Sequence, residues 1–374
     1  MRSTARYAPA LVPLVAAGGA LLVGAIMLLV LGANPFEGYW ALFTGAVGGS
    51  RELSETVAKA VPLLLVGVGI TVAFRASVIN IGGEGQLIAG ALSGTALALA
   101  APDLPAAILL PGVLLAGLVG GAIWGGVPGI LKAYFGVNEI LSTIMLNIVA
   151  VQFMNYLLRG PLIDPAEIEA GTRIPQTERL AEAADLPVLV TNTRLNLGAV
   201  IALIAALAVY VLLWRTPFGY RIRAVGLNPN ASRYAGIRVR RSVASALAIS
   251  GALCGLAGAI LVFGSESHRM VTDGSSFGFT GSAGFNGIVA ALFGGLHPLG
   301  TIPASFLFGG LLVGANKMQR VVQVPSALII ALNGLVVVFV VSSALWKRRL
   351  EQRSAELAEI ANKLDEPALT ESDT

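Results

Sequence analysis

Apolar runs follow one another along almost the whole chain, and nearly all of the charge is gathered in the loops between them. A helix needs about 20 mainly apolar residues to cross the hydrocarbon of a bilayer. On that criterion about ten segments qualify: residues 8–31, 57–74, 87–101, 106–130, 139–158, 197–214, 242–263, 285–296, 301–315 and 326–346. The third, eighth and ninth are short, as expected of broken or half-crossing helices whose backbone faces a cavity. The pattern predicts an all-α polytopic membrane protein. Only 12% of the residues are charged, against about 25% in soluble domains, which excludes a water-soluble fold. More than half of the 45 glycines lie inside apolar runs, where they let membrane helices approach closely.

Charge placement predicts the orientation, because Arg and Lys are retained on the cytoplasmic side of short loops. The connection 215–241 holds seven Arg and no acid, which marks it as cytoplasmic. Counting spans outward places both termini inside, in agreement with Arg2 and Arg6 at one end and Lys347, Arg348 and Arg349 at the other. The first run is too long for a signal peptide and lacks a small-residue cleavage site, so it is expected to be a retained span. The expected organisation is a transmembrane domain, 1–346, and a cytoplasmic tail, 347–374. The connection 159–196, with six acids against four Arg, then falls outside and reads as an ordered lid or docking surface, or as a solvated loop. The net charge of +4 reflects topology and carries no nucleic-acid signal.

Three polar constellations interrupt the apolar background. In the stretch FRASVINIGGEGQ, 74–86, Arg75, Asn80, Glu84 and Gln86 stand among Gly82, Gly83 and Gly85. So many glycines disfavour a continuous helix, and the backbone is expected to unwind and offer amides and carbonyls to a polar solute. A carboxylate at membrane depth costs a few kcal/mol and needs a task or a partner. Arg75 is the obvious structural partner for Glu84. In VNEILSTIMLN, 137–147, the spacing of Glu139, Thr143 and Asn147 puts all three on one helical face, which Gln152 and Asn155 continue. Such a stripe points either to a solute pathway or to glue between helices. Asn286 and Asn333 are further amide candidates for the pathway, since an amide donates and accepts at once. His297 reads as a turn residue, and His268 has no metal-ligand companion. Phe74, Phe153, Tyr156, Phe277, Phe279 and Phe285 lie near the presumed path.

The third constellation is the cytoplasmic GLNPNASRYAGI, 226–237, which carries the start and stop signals of a very short helix. Asn228 caps it, Pro229 takes the first helical position and Gly236 closes it. Asn230, Ser232, Arg233 and Tyr234 form its body, a shape suited to a groove on a partner. The chain has no G-x-x-x-x-G-K-[ST] phosphate loop, no metal motif and no nucleophile arrangement, so it is not expected to be an enzyme. Cys254, in an uncharged stretch, is expected to be an inert buried thiol.

The stretches 74–86, 137–147 and GYRIRAVGLNPNASRYAGIRV, 219–239, with GFNGIVAALFGGLHPLG, 284–300, resemble the permeases of bacterial nucleoside importers in the ATP-binding-cassette superfamily. The resemblance runs from about residue 57 to 346. It departs from the usual pattern at Ser77, Val78, Asn286 and His297. The resemblance implies residence in the bacterial inner membrane and docking of the 228–236 helix on an ATPase subunit. It also implies a second related permease and an external solute-binding lipoprotein. ATP and Mg²⁺ would then sit on the ATPase, with no cofactor on this chain. Alternatives are a permease for ribose-like sugars, or an ion-coupled transporter using Glu84 or Glu139.

Overall fold

The computed structural model describes residues 21–325 together with Gly18, Gly19, Ala331, Gly334, Leu335 and Val338. Regular structure among them is helical: α1 (Leu21–Val30), α2 (Pro35–Val47), α3 (Ser50–Arg75), α4 (Gly83–Ala100), α5 (Ala106–Phe135), α6 (Glu139–Arg159) and α7 (Pro165–Glu169) form the first half. The second half holds α8 (Gly198–Arg215), α9 (Pro217–Leu227), α10 (Pro229–Tyr234), α11 (Val239–Phe263), α12 (Ser276–Thr280), α13 (Ala283–Phe293) and α14 (Pro298–Val322). Among the described residues, six helices, α3, α5, α6, α8, α11 and α14, are long and apolar enough to cross a membrane.

Two expectations change. The ninth apolar segment is not short: it lies inside the 25-residue α14, which continues through Asn316, Lys317, Gln319 and Arg320. Those polar residues end the apolar run without ending the helix, because Lys, Gln and Arg are good helix formers. Residues 35–47 form a helix that the span count passed over. The eighth segment is short as expected, an 11-residue helix. Most of the segment 326–346, most of 8–20 and the tail 347–374 fall outside the described residues.

The chain divides into two compact units. In the described part of the first, built from Met1–Tyr39 and Met318–Thr374, Leu28 is buried and a Cβ at Gly38 would face Leu28 and Met318. The second, Trp40–Lys317, holds the polar constellations. Its centre is made by α3 and α11, whose most apolar stretches are 78% and 83% buried, against 22% for α5 and for α6. The outer helices therefore turn apolar side chains outward, as α5 does with Leu115, Val119, Ile123, Val127 and Ile130. Rows like these suit a lipid solvent and not water.

Small residues decide how α4, α5 and α11 meet. Gly117, Gly121, Gly125 and Gly129 form a stripe along α5, and Gly251 and Gly255 face it from α11. A Cβ at Gly125 would stand 2.7 Å from the Leu247 carbonyl oxygen, and one at Gly121 would collide with the Gly251 carbonyl. Gly90 brings α4 against Gly255 in the same way. Backbones can touch here only because no side chain intervenes.

The connection between α6 and α8 is ordered. Its backbone pairs with the segment after α11: Thr177 N–H donates to Met270 O at 3.0 Å and Leu180 N–H to His268 O at 2.8 Å. Arg269 bonds Asp164 at 2.8 Å, and His268 Nδ1 lies 2.6 Å from Asp185 Oδ2. Burial raises the Asp185 carboxyl above its ordinary range, and the nearby His268 works against that.

Candidate functional site

After Arg75 the helix stops, and residues 77–82 run back non-helically into the protein, with Ser77 at φ 58°. Asn80 ends this return fully buried. Its Nδ2 donates to Gln86 Oε1 at 2.9 Å and to Ser250 Oγ at 2.8 Å, while its Oδ1 accepts from Gln86 Nε2 at 3.1 Å and from Gly82 N–H at 2.9 Å. The expected unwinding is thus confined to the residues before Gly83. Glu84, Gly85 and Gln86 already belong to the first turn of α4, because packing and side-chain bonds outweigh the glycine propensity there.

Glu84 is 1% exposed and does not pair with Arg75. Its Oε1 accepts the backbone N–H groups of Gly284 at 2.9 Å and Phe285 at 3.3 Å, with the Thr280 side chain nearby, while Oε2 has no hydrogen-bond partner among the described residues. The residue preceding α13, Ser282, has a left-handed backbone (φ 61°) and offers no side-chain cap. Glu84 takes over that task from 200 positions away. The positive end of the α13 dipole and two amide donors face this buried carboxyl group. A Cβ at Gly284 would collide with Glu84 N, so the N-termini of α4 and α13 abut. Val66, near the middle of α3, touches both helices, which sets this meeting deep within the bundle. Two converging helix N-termini with amide side chains between them can hydrogen-bond a neutral polar solute or a partial negative charge.

The stripe on α6 joins the same node from outside. Asn147 Oδ1 accepts from Gly85 N–H at 2.8 Å and its Nδ2 donates to Ile81 O at 2.9 Å, which fastens α6 to the start of α4. Thr143 is buried against Gly82 and donates to Glu139 O at 2.6 Å. Glu139 pairs with Lys132 at 2.7 Å, towards the end of the helix pair α5–α6. Gln152 is exposed, and Asn155 bonds Thr272 and the Gly274 carbonyl. Asn286 is half-buried on α13, one residue beyond the Glu84 cap. Asn333 lies outside the described residues. Four of the named aromatics, Phe153, Tyr156, Phe277 and Phe285, are exposed on α6, α12 and α13, whereas Phe74 and Phe279 are half-buried. Ser250 and Thr280 were not singled out by sequence reasoning, since a lone hydroxyl in an apolar run carries no pattern.

The short helix α10 has the expected ends. Asn228 Oδ1 accepts from Asn230 N–H and Ala231 N–H, both at 3.0 Å, and Gly236 follows the helix at φ 78°. Ser232 is buried, while Asn230, Arg233 and Tyr234 are exposed, Tyr234 at 95%. Next to α10, a Cβ at Gly226 would collide with the Arg75 carbonyl, so α9 is seated directly on the end of α3. Arg75 in turn donates from Nε (3.0 Å) and Nη2 (2.8 Å) to the Leu296 carbonyl in the turn after α13. Its guanidinium lies 5.2 Å from the centre of the Trp214 ring, which also packs on His297 at 4.7 Å. The α3–α4 bend therefore holds α13 at both ends, through Arg75 and Glu84.

The permease component of branched-chain amino acid transport systems matches residues 53–341. The chain belongs to this permease family. Three relatives align with the permease over nearly its full length. It is 38% identical to the guanosine ABC transporter permease NupP of Bacillus subtilis, over 90% of this chain and 94% of the relative. Against the nucleoside ABC transporter permease NupB of Lactococcus lactis the identity is 34%, over 94% and 96%. Against the glucose ABC transporter permease TsgB13 of Haloferax volcanii it is 33%, over 90% and 88%. No solved structure matches the chain. The permease is a transport subunit of the plasma (inner) membrane and not an enzyme, and it works with ATPase and solute-binding partners in the manner of its family.

Proposed function

We propose that this permease forms the translocation pathway for nucleosides in an ATP-driven importer. The observation that carries the reading is the buried node where the N-termini of α4 and α13 meet under Asn80, Glu84, Gln86 and Asn147. A nucleoside presents base edges and ribose hydroxyls, which neutral amides and helix N-termini can satisfy without a fixed charge. The names of NupP and NupB support this cargo; that of TsgB13 supports a sugar as the second reading. Membership among ABC permeases displaces the ion-gradient alternative.

Asn80, Glu84, Gln86, Glu139, Thr143 and Asn147 each already have at least one partner within the protein. In our reading Asn80, Glu84, Gln86, Glu139, Thr143 and Asn147 hold the pathway wall in shape, and Asn286 and Asn333 border it. Both termini and the connection 215–241 lie on the cytoplasmic side, with about ten crossing or half-crossing segments in a domain reaching residue 346 and a tail from 347. The exposed helix of Asn228, Pro229, Asn230, Ser232, Arg233, Tyr234 and Gly236 docks on the ATPase, which binds ATP and Mg²⁺. A second related permease and an external solute-binding lipoprotein complete the assembly.

The test is uptake by cells or vesicles with and without residues Pro229–Tyr234. Deletion should abolish uptake of labelled guanosine while the subunit still inserts; continued uptake would defeat the coupling role. Competition by unlabelled nucleosides and by glucose or ribose then separates the two cargoes.

A further inference from the structure

Beside the glycine stripe, α5 and α11 leave a groove of about 680 Å³ open to the outside of the bundle. Its lining is almost entirely apolar: Gly126, Ile130 and Tyr134 from α5 and Ala244 and Ala248 from α11, with Arg241 at one end. The cause is local. Gly125 and Gly129 bring the two backbones together, and the next residues along the flank are too small to fill the angle between them. A Cβ at Gly126 would meet only Ala248 Cβ, at 3.9 Å.

The groove is polarised along the helix axes. At about 1.5 Å per residue, Arg241 to Ala248 covers roughly 10 Å and Gly126 to Phe135 roughly 14 Å. That is close to the half-thickness of about 15 Å of a bilayer's hydrocarbon. Arg241 lies at the mouth, the Arg240 guanidinium sits 5.8 Å from the centre of the lining Tyr134 ring, and Arg238 immediately precedes α11; all three are exposed. Among the described residues none of these three arginines forms an ion pair, and the nearby Glu139 is taken up by Lys132. No acid occurs between Arg215 and Arg241.

We infer that this groove is a binding site for one anionic phospholipid of the cytoplasmic leaflet, with its phosphate on Arg240 and Arg241 and an acyl chain against Ala244, Ala248 and Ile130. An unpaired basic cluster at headgroup level above an apolar slot one leaflet deep is complementary in both charge and length to such a lipid. Zwitterionic lipid matches the slot but not the arginines. The site rests on the proposed reading only through the cytoplasmic placement of 215–241.

The test is native mass spectrometry of the purified full-length permease carrying phosphatidylglycerol, challenged with phosphatidylcholine. Wild type should retain one phosphatidylglycerol per chain. The double variant Arg240→Gln, Arg241→Gln should retain it about twenty-fivefold less well, two basic groups counting for about fivefold each. Ala248→Trp, which fills the slot, should also lose it, whereas Leu115→Trp on the outer face of α5 should not. Equal retention by all variants, or equal retention of phosphatidylcholine, overturns the site. So does a photo-crosslinker at Ala248 that captures a second permease chain and no lipid. Orientation is read separately, from labelling of Arg238→Cys by an impermeant thiol reagent in inverted and right-side-out vesicles. Labelling from the outside would remove the topology reading without touching lipid retention.

Discussion

The Glu84 carboxylate caps a helix that begins 200 residues later, accepting the N–H groups of Gly284 and Phe285 at 2.9 and 3.3 Å. One helix thereby relieves the hydrogen-bond deficit at the N-terminus of another. Replacing Glu84 by Ala leaves two buried amides unsatisfied and should cost roughly 1.5–3 kcal/mol. Glu84→Gln keeps one acceptor oxygen and should retain most of the stability. Thermal unfolding in detergent distinguishes them; equal melting of the two variants would remove the capping role.

Arg75→Lys tests the other end of α13. The guanidinium makes two bonds to the Leu296 carbonyl and lies over Trp214, and a single ammonium cannot reproduce both. The variant should insert and bind its ATPase normally, yet take up solute roughly tenfold less per ATP hydrolysed, about 1.4 kcal/mol of lost coupling. An unchanged ratio of uptake to hydrolysis would show that the clamp carries no force.

His297 gives a pH signature at the turn between α13 and α14. Burial, and then the charge of Arg75, hold its imidazole below the ordinary histidine range. A base lowered in this way contributes stability that is complete above its unfolded value and is lost as the pH falls through the folded one. Acidification should therefore loosen the turn only below the usual histidine range. Trp214 fluorescence reports it, since a protonated imidazole packed on the indole quenches emission. His297→Gln should abolish the transition, and a midpoint at or above the ordinary value would contradict the assigned environment.

Growth at the glycine stripe should be far costlier than growth on its flank. Gly121→Leu and Gly255→Leu drive side chains into opposing backbone and should prevent accumulation of folded permease. Gly112→Ala, where the new methyl meets Leu97 at an ordinary 3.4 Å, should be accepted. Yield of monodisperse protein after gel filtration measures the difference.

The apolar runs, the Arg-rich connection and the ends of α10 were legible because each depends on residues adjacent in sequence. Asn228 and Gly236 act within their own short helix, so their roles followed from spacing alone. The face shared by Glu139, Thr143 and Asn147 was legible for the same reason. What those side chains bond was not. Glu84 finds Gly284, Arg75 finds Leu296 and Asn80 finds Ser250, each over a separation that periodicity does not encode. Helix α14 was misjudged because hydropathy reports where lipid ends, while the helix continues into its polar last turns.

The meeting of α4, α5 and α11 has a mechanical consequence. Surfaces locked main chain to main chain have no side-chain cushion to rearrange, so sliding one past another would need the trio to separate first. Alternation between inward and outward openings must then be borne by the pieces hinged onto this keel, namely α6, fastened by Asn147, and α13, hung between Arg75 and Glu84.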